Sequence, residues 1–176
     1  MGKDFDGRLA YGKAAEAFVK KFFIKKGWIV KVDEEYGFMP NNKNKGARLL
    51  VLPVNATLDE AETESHEIIA PDMMIRKNGL QKFVEVKRRG DVSTYRNIEV
   101  IYVDAIQWYD YSELDFLCQY NNYGDGVILY LCVDDYFGEK AMFYQTVSFL
   151  NKNVQYHVKN EYLAFRVSDF VREDYR

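Results

Sequence analysis

Cysteine is scarce in this chain. Only Cys118 and Cys132 occur in 176 residues, both inside apolar runs. A zinc or iron–sulfur site built on four thiolates is therefore excluded within one chain. Two buried thiols in a reducing, cytoplasmic setting are expected instead. Histidine is equally sparse, with His66 and His157 alone, which argues against catalysis by several imidazoles; His66 reads as structural or exposed. No apolar run approaches the roughly 20 residues of a membrane span, and the opening Met-Gly-Lys-Asp-Phe-Asp lacks the apolar stretch of a signal peptide. No membrane association is expected. The net charge of −3 argues against a protein that coats nucleic acid by charge alone, because phosphate binding needs Lys and Arg. It leaves room for a local basic surface beside acids that hold a metal.

What is present is ordinary for a globular protein: 48% hydrophobic and 29% charged residues. The length suits one well-formed core, and no linker or repeat divides the chain, so residues 1–176 read as a single domain. Aromatics are plentiful, with 14 Tyr and 12 Phe, serving either core packing or stacking on bases in a groove. From about Asp4 to Gly27, the spacing of Tyr11, Ala14, Ala15, Phe18 and Phe22 predicts a helix that Gly27 ends. Trp28 to Val32 reads as a strand, and residues 34–65 as a loop insertion, with a Pro40–Arg48 stretch rich in Asn and Lys and an acidic segment Asp59–Glu67. His66–Arg76 and Leu80–Arg88 are strand-like runs around Asn78-Gly79, a strong hairpin signal. A second helix is predicted from Asp104, its N-cap, to Tyr120, then a turn over Asn121–Gly126 and a buried strand Val127–Val133. Further strands follow, with turns near Tyr136–Gly138 and Asn160–Glu161. The fold class is α/β with a mixed sheet, in the order α-β-β-β-α-β plus additional C-terminal strands.

The chemistry rests on the hairpin. If Asn78-Gly79 forms a two-residue turn, Lys77 opposes Leu80 and Asp72 opposes Glu85. Side chains directly opposed across strands stand about 4.5–5.5 Å apart at Cβ. Two carboxylates so placed repel one another unless a divalent cation lies between them, and Mg²⁺ takes one or two carboxylates together with waters and phosphate oxygens. Lys87 shares the strand face of Glu85, where an ammonium can meet a scissile phosphate or an attacking water. Val86 points the other way, anchoring the strand and leaving its carbonyl available as a further ligand.

Pro71-Asp72, twelve residues, then Glu85-Val86-Lys87 resembles the signature of the PD-(D/E)XK nuclease superfamily, and the element order over roughly residues 5–133 is similar to that superfamily's restriction-endonuclease-like core. The resemblance implies a metal-dependent nuclease acting on DNA. Asp72, Glu85 and the Val86 carbonyl would hold Mg²⁺ or Mn²⁺, and Lys87 would be catalytic. It also implies a third carboxylate on the first helix, for which Glu16 is the candidate. Glu16 shares a stripe with Gly12, Val19 and Phe23, although a surface Glu16–Lys20 pair is the alternative. Gln107 and Tyr111, one turn apart, are similar to a Gln-x-x-x-Tyr motif of the exonuclease-like branch, where they help hold the substrate backbone and the lysine; a core Tyr beside a Gln is the plain alternative. The chain departs from the cluster-containing exonucleases of that branch in having too few cysteines. Arg88 and Arg89 follow the Glu-x-Lys strand and are candidates for phosphate contact. Expected partners are DNA and either a second copy in a homodimer or a larger DNA-processing assembly. A non-catalytic DNA-binding or assembly module with the same fold is the competing expectation.

Overall fold

The computed structural model describes residues 5–38, 46–51, 65–120, 126–153, 155–158 and 161–173. Helix α1 (Phe5–Lys25) buries Ala15, Val19 and Phe23, spaced four residues apart on one stripe. It ends at Gly27, whose φ of 79° lets its N–H reach the Ile24 carbonyl at 2.9 Å while the Trp28 N–H reaches that of Phe23 at 3.0 Å. The Trp28 and Phe23 rings then meet edge-on at 6.0 Å, the apolar contact that accompanies such a cap.

The chain continues through β1 (Ile29–Val32), a single helical turn α2 (Asp33–Tyr36), and the short paired strands β2 (Arg48–Val51) and β3 (His66–Ile69). Next come the hairpin β4 (Met73–Lys77) and β5 (Leu80–Arg89), a second hairpin β6 (Ser93–Tyr95) and β7 (Ile98–Asp104), and helix α3 (Ala105–Tyr120). Strands β8 (Val127–Tyr136) and β9 (Glu139–Thr146), the short helix α4 (Val147–Asn151), β10 (Gln155–Val158), β11 (Tyr162–Arg166), a 3₁₀ turn and β12 (Val171–Arg172) complete it.

One sheet runs β1-β4-β5-β8-β9-β12, another β10-β11-β7-β6. Only β5 and β8 pair in parallel within the first; its other pairings are antiparallel. The sheet is therefore mixed, and the expected α-β-β-β-α-β order is present as α1, β1, β4, β5, α3 and β8. Period-two alternation divides β5: Val84 and Val86 join the core under α1, while Phe83 joins the core under α3. That second core also takes Ile101, Val103, Leu163 and Phe165 from the inward face of the β10-β11-β7-β6 sheet, with the Phe165 ring 4.3 Å from that of Trp108. Among the described residues, no helix is long and apolar enough to cross a membrane.

Two sequence expectations change. The run His66–Arg76 is not one strand but two, β3 and β4, in different sheets, because Ala70, Pro71 and Asp72 break it; Pro71 has no N–H to give a ladder. Residues 93–104, unassigned from sequence although Ile98–Val103 is rich in strand formers, form the β6–β7 hairpin around Arg96 and Asn97 at φ of 49° and 64°. The predicted turn Asn121–Gly126 (save Gly126), most of the Pro40–Arg48 stretch, the segment 59–64 and residue Asn160 lie outside the described residues.

Candidate active site

The hairpin turn has the conformation that its sequence demands, with Asn78 at φ 52° and Gly79 at φ 81°. Its register runs from Lys77 opposite Leu80 to Met73 opposite Val84. Asp72 is the next residue outward, opposite Glu85, and there the ladder ends: the Asp72 side chain itself accepts the Val86 N–H at 2.7 Å. The Asp72 carbonyl accepts the N–H of Asp33, the first residue of α2, at 2.9 Å. Tyr36 of α2 donates its hydroxyl to the Pro71 carbonyl. The bend that presents Asp72 is thus clamped from two sides.

Glu85 is only 4% exposed. The Lys87 ammonium donates to its carboxylate and, at 3.0 Å, to the Gln107 Oε1. Tyr111, 1% exposed, shares a hydrogen bond with Glu85; its phenol donates to the carboxylate. Helix α3 therefore sends one side chain to the lysine and another to the glutamate, one turn apart. Asp104 accepts the Gln107 N–H at 3.0 Å, the N-cap expected from sequence, and so sets where that turn begins.

These groups line a cleft of about 390 Å³ that also takes Glu16 from α1, Asp33 from α2 and Arg48 from β2. Four carboxylates in one cleft leave a signature in their protonation. Desolvation, then the charges of Glu85 and Glu16, push the Asp72 carboxyl well above its ordinary value, against the opposing pull of Lys87 and of the Val86 N–H. Desolvation and the neighbouring Asp33 and Glu85 likewise raise Glu16, and desolvation raises Asp33. Burial alone would lower the Lys87 pKa, but the charge of Glu85, its hydrogen bond and Asp72 outweigh it and hold the ammonium above its usual range. The cleft has an excess of oxygen donors and negative charge. Among the described residues, no three Asp, Glu, His or Cys side chains close on one point as a finished cage. A hard cation such as Mg²⁺ needs no such cage, since one or two carboxylates suffice beside water and phosphate oxygens; the donor set fits it.

Asp72, Glu85, Val86, Lys87, Glu16, Gln107 and Tyr111 are thus all brought to one cleft. Arg88 is not. It alternates to the α1 side, where it pairs with Asp134 at 3.0 Å, donates to the Tyr11 carbonyl and lies 3.6 Å from the Tyr11 ring centroid. Arg89 is spent on the backbone, donating to the Arg88 and Tyr102 carbonyls at 3.0 and 2.8 Å. Neither residue lines the cleft. Asp33 and Arg48 do, and sequence reasoning passed over both: Arg48 as part of the 34–65 insertion, and Asp33 as the unassigned residue between that insertion and the strand before it. A carboxylate directly after the β1 run was the available signal for Asp33.

No family model matches the chain, and no curated protein matches it. Among solved structures it is similar to Archaeoglobus fulgidus Hjc, a Holliday junction resolvase from an archaeal hyperthermophile. The identity is 12%, over 90% of this chain and 91% of that one, with a TM-score of 0.46. No residue assignment rests on that likeness.

Proposed function

We propose that this chain is a divalent-metal-dependent nuclease that hydrolyses DNA phosphodiester bonds, residues 1–176 forming one nuclease domain. One observation carries the reading: Asp72, Glu85 and Lys87 meet in a single open cleft, and α3 fastens both the glutamate, through Tyr111, and the lysine, through Gln107. An edge strand with solvated charges would not bury Glu85 or tie its neighbours to a helix.

In this reading Asp72, Glu85, Glu16 and the Val86 carbonyl hold Mg²⁺ or Mn²⁺. The ion, when bound, supplies Lewis-acid polarisation of the phosphate and a more acidic water. Lys87 presents its ammonium to the oxygens that gain charge as the phosphorus is attacked, a preorganised donor of the kind that contributes most when it costs no reorganisation. Gln107 aims that ammonium. Tyr111 is too deeply buried to meet substrate and acts by orienting Glu85. Asp33 adds negative charge beside Glu16 and fixes the Asp72 backbone. The protein works in the cytoplasm, as a homodimer or as a subunit of a larger DNA-processing assembly.

The test is cleavage of linear, nicked, circular and branched DNA with Mg²⁺ or Mn²⁺. Metal-dependent product is expected from the wild type and none from Asp72→Ala; undiminished activity in that variant removes the assignment. A second reading, a DNA-binding module without catalysis, is favoured by the direct Lys87–Glu85 pair, which satisfies both charges without a metal. Metal titration separates the two, since that module has no need to bind Mg²⁺ or Mn²⁺.

A further inference from the structure

The outward face of the β10-β11-β7-β6 sheet differs in character from its apolar inward face. Register places Tyr95, Val100, Tyr102, Tyr156, Ala164 and Arg166 on it together. Tyr95 and Tyr156 belong to the two edge strands, which in a flat sheet stand three spacings, roughly 14 Å, apart. Their ring centroids are nevertheless 5.4 Å apart. The two rings therefore reach toward each other over the inner strands, and Val100 and Ala164 between them are 0% exposed.

Each ring has a guanidinium beside it. Arg96, in the β6–β7 turn, lies 5.2 Å from the Tyr95 ring centroid, and Arg166 lies 5.7 Å from that of Tyr156. Arg166 also donates to the Tyr156 hydroxyl from two nitrogens, at 2.9 and 3.1 Å. Among the described residues, neither arginine has an ion-pair partner. Among the described residues of these four strands, the one carboxylate that register puts on this face, Asp104, is occupied in capping α3.

Two adjoining phenol rings, each with an arginine beside it that has no ion-pair partner among the described residues, match a particular chemistry. Unstacked bases offer π-faces to tyrosine and arginine, and the phosphodiesters between them offer charge to the arginines. A duplex hides its base faces, and a peptide supplies no regular alternation of flat rings and anions. The face is also joined to the cleft. Strand β7 runs directly into α3, whose Gln107 holds Lys87, and Arg89, two residues after Lys87, donates to the Tyr102 carbonyl of the same strand. We propose that this face binds an unpaired strand of the DNA that is cut in the Asp72–Glu85–Lys87 cleft. The inference rests on the nuclease reading for its choice of DNA.

The test uses the whole chain in a chelator, so that no cleavage intervenes, and a fluorescent oligothymidylate of about 15 nucleotides. Tyr156→Leu, Arg166→Gln and Arg96→Gln should each weaken its binding by about five- to a hundred-fold, the range expected for one lost stacking contact. Tyr156→Phe, which keeps the ring, should stay within about two-fold, and a blunt duplex should bind all variants alike. On the wild type, a 5-iododeoxyuridine oligonucleotide should photo-crosslink to Tyr95, Tyr102 or Tyr156, a readout that needs no variant to fold. Unchanged affinity in the Tyr156→Leu/Arg166→Gln pair, crosslinks confined to other elements, or preference for an acidic peptide or for RNA overturns the inference. If the oligonucleotide binds as described but no metal-dependent cleavage exists, the nuclease reading fails and this surface stands.

Discussion

Gln107 holds the Lys87 ammonium at 3.0 Å, joining the first turn of helix α3 to the strand that carries Glu85. The amide has no charge to offer a metal, so its effect should appear in the rate and not in cation affinity. Gln107→Ala is predicted to lower the cleavage rate about 10- to 100-fold, the cost of a misplaced catalytic group, while Mn²⁺ affinity stays within about two-fold. Rate measurements at saturating metal decide it; an intact rate shows that Lys87 is positioned without the amide.

Tyr111→Phe removes only the buried hydroxyl that hydrogen-bonds Glu85. A bond to an ionised acceptor contributes about 1.5–3 kcal/mol, and urea unfolding of the metal-free protein should lose stability of that order. A loss below about 0.5 kcal/mol would mean that the phenol and the carboxylate are not coupled.

Asp115 is a structural acid away from the cleft, and its removal should be felt in stability. One oxygen accepts the N–H groups of Gly126 and Val127, both at 2.9 Å, and the other accepts from Gln119 at 2.7 Å and from Ser148. Asp115→Ala leaves buried donors without partners and is predicted to cost about 3 kcal/mol or more. Gly126→Ala should also destabilise, because a Cβ there would lie 2.4 Å from that of Cys118. Thermal unfolding checks both.

Burial pushes the Cys118 and Cys132 thiols up from 9.0 to about 11. Between those values the unfolded chain loses thiol protons that the folded chain keeps, so stability must fall as pH rises from about 9 toward 11. Below about pH 8 both states keep their thiol protons and neither thiol contributes a slope. Denaturant unfolding across that range, repeated on Cys118→Ala, should show the decline become shallower in the variant. At pH 8 both native thiols should react with iodoacetamide more slowly than in the unfolded chain.

Legibility in the sequence followed how local each cause was. Asn78-Gly79 sets a hairpin by itself, and from that turn the pairing of Asp72 with Glu85 follows by counting. The helix cap at Gly27 and the N-cap at Asp104 are equally local. Alternation also determines that Arg88 leaves the face of Lys87, so assigning it to phosphate neglected a signal that was present. Asp33 was harder, because it approaches Asp72 only through a backbone contact formed after folding. The β6–β7 hairpin was hidden because Arg96 and Asn97 make its turn without glycine. The break at Pro71-Asp72 had a local signal, a proline inside a strand-like run, which was outweighed by the strand formers on both sides. Pairing with different sheets is a tertiary outcome that neither half encodes alone.

If the carboxylates of Asp72 and Glu85 converge on one cation beside Lys87, each must contribute to holding it. Mn²⁺ binding, followed by electron paramagnetic resonance, is to be compared in the wild type, Asp72→Ala and Glu85→Ala. Saturable binding to the wild type that weakens at least about ten-fold in each variant is the predicted result. Equal binding by all three proteins, or no binding by the wild type, would contradict it.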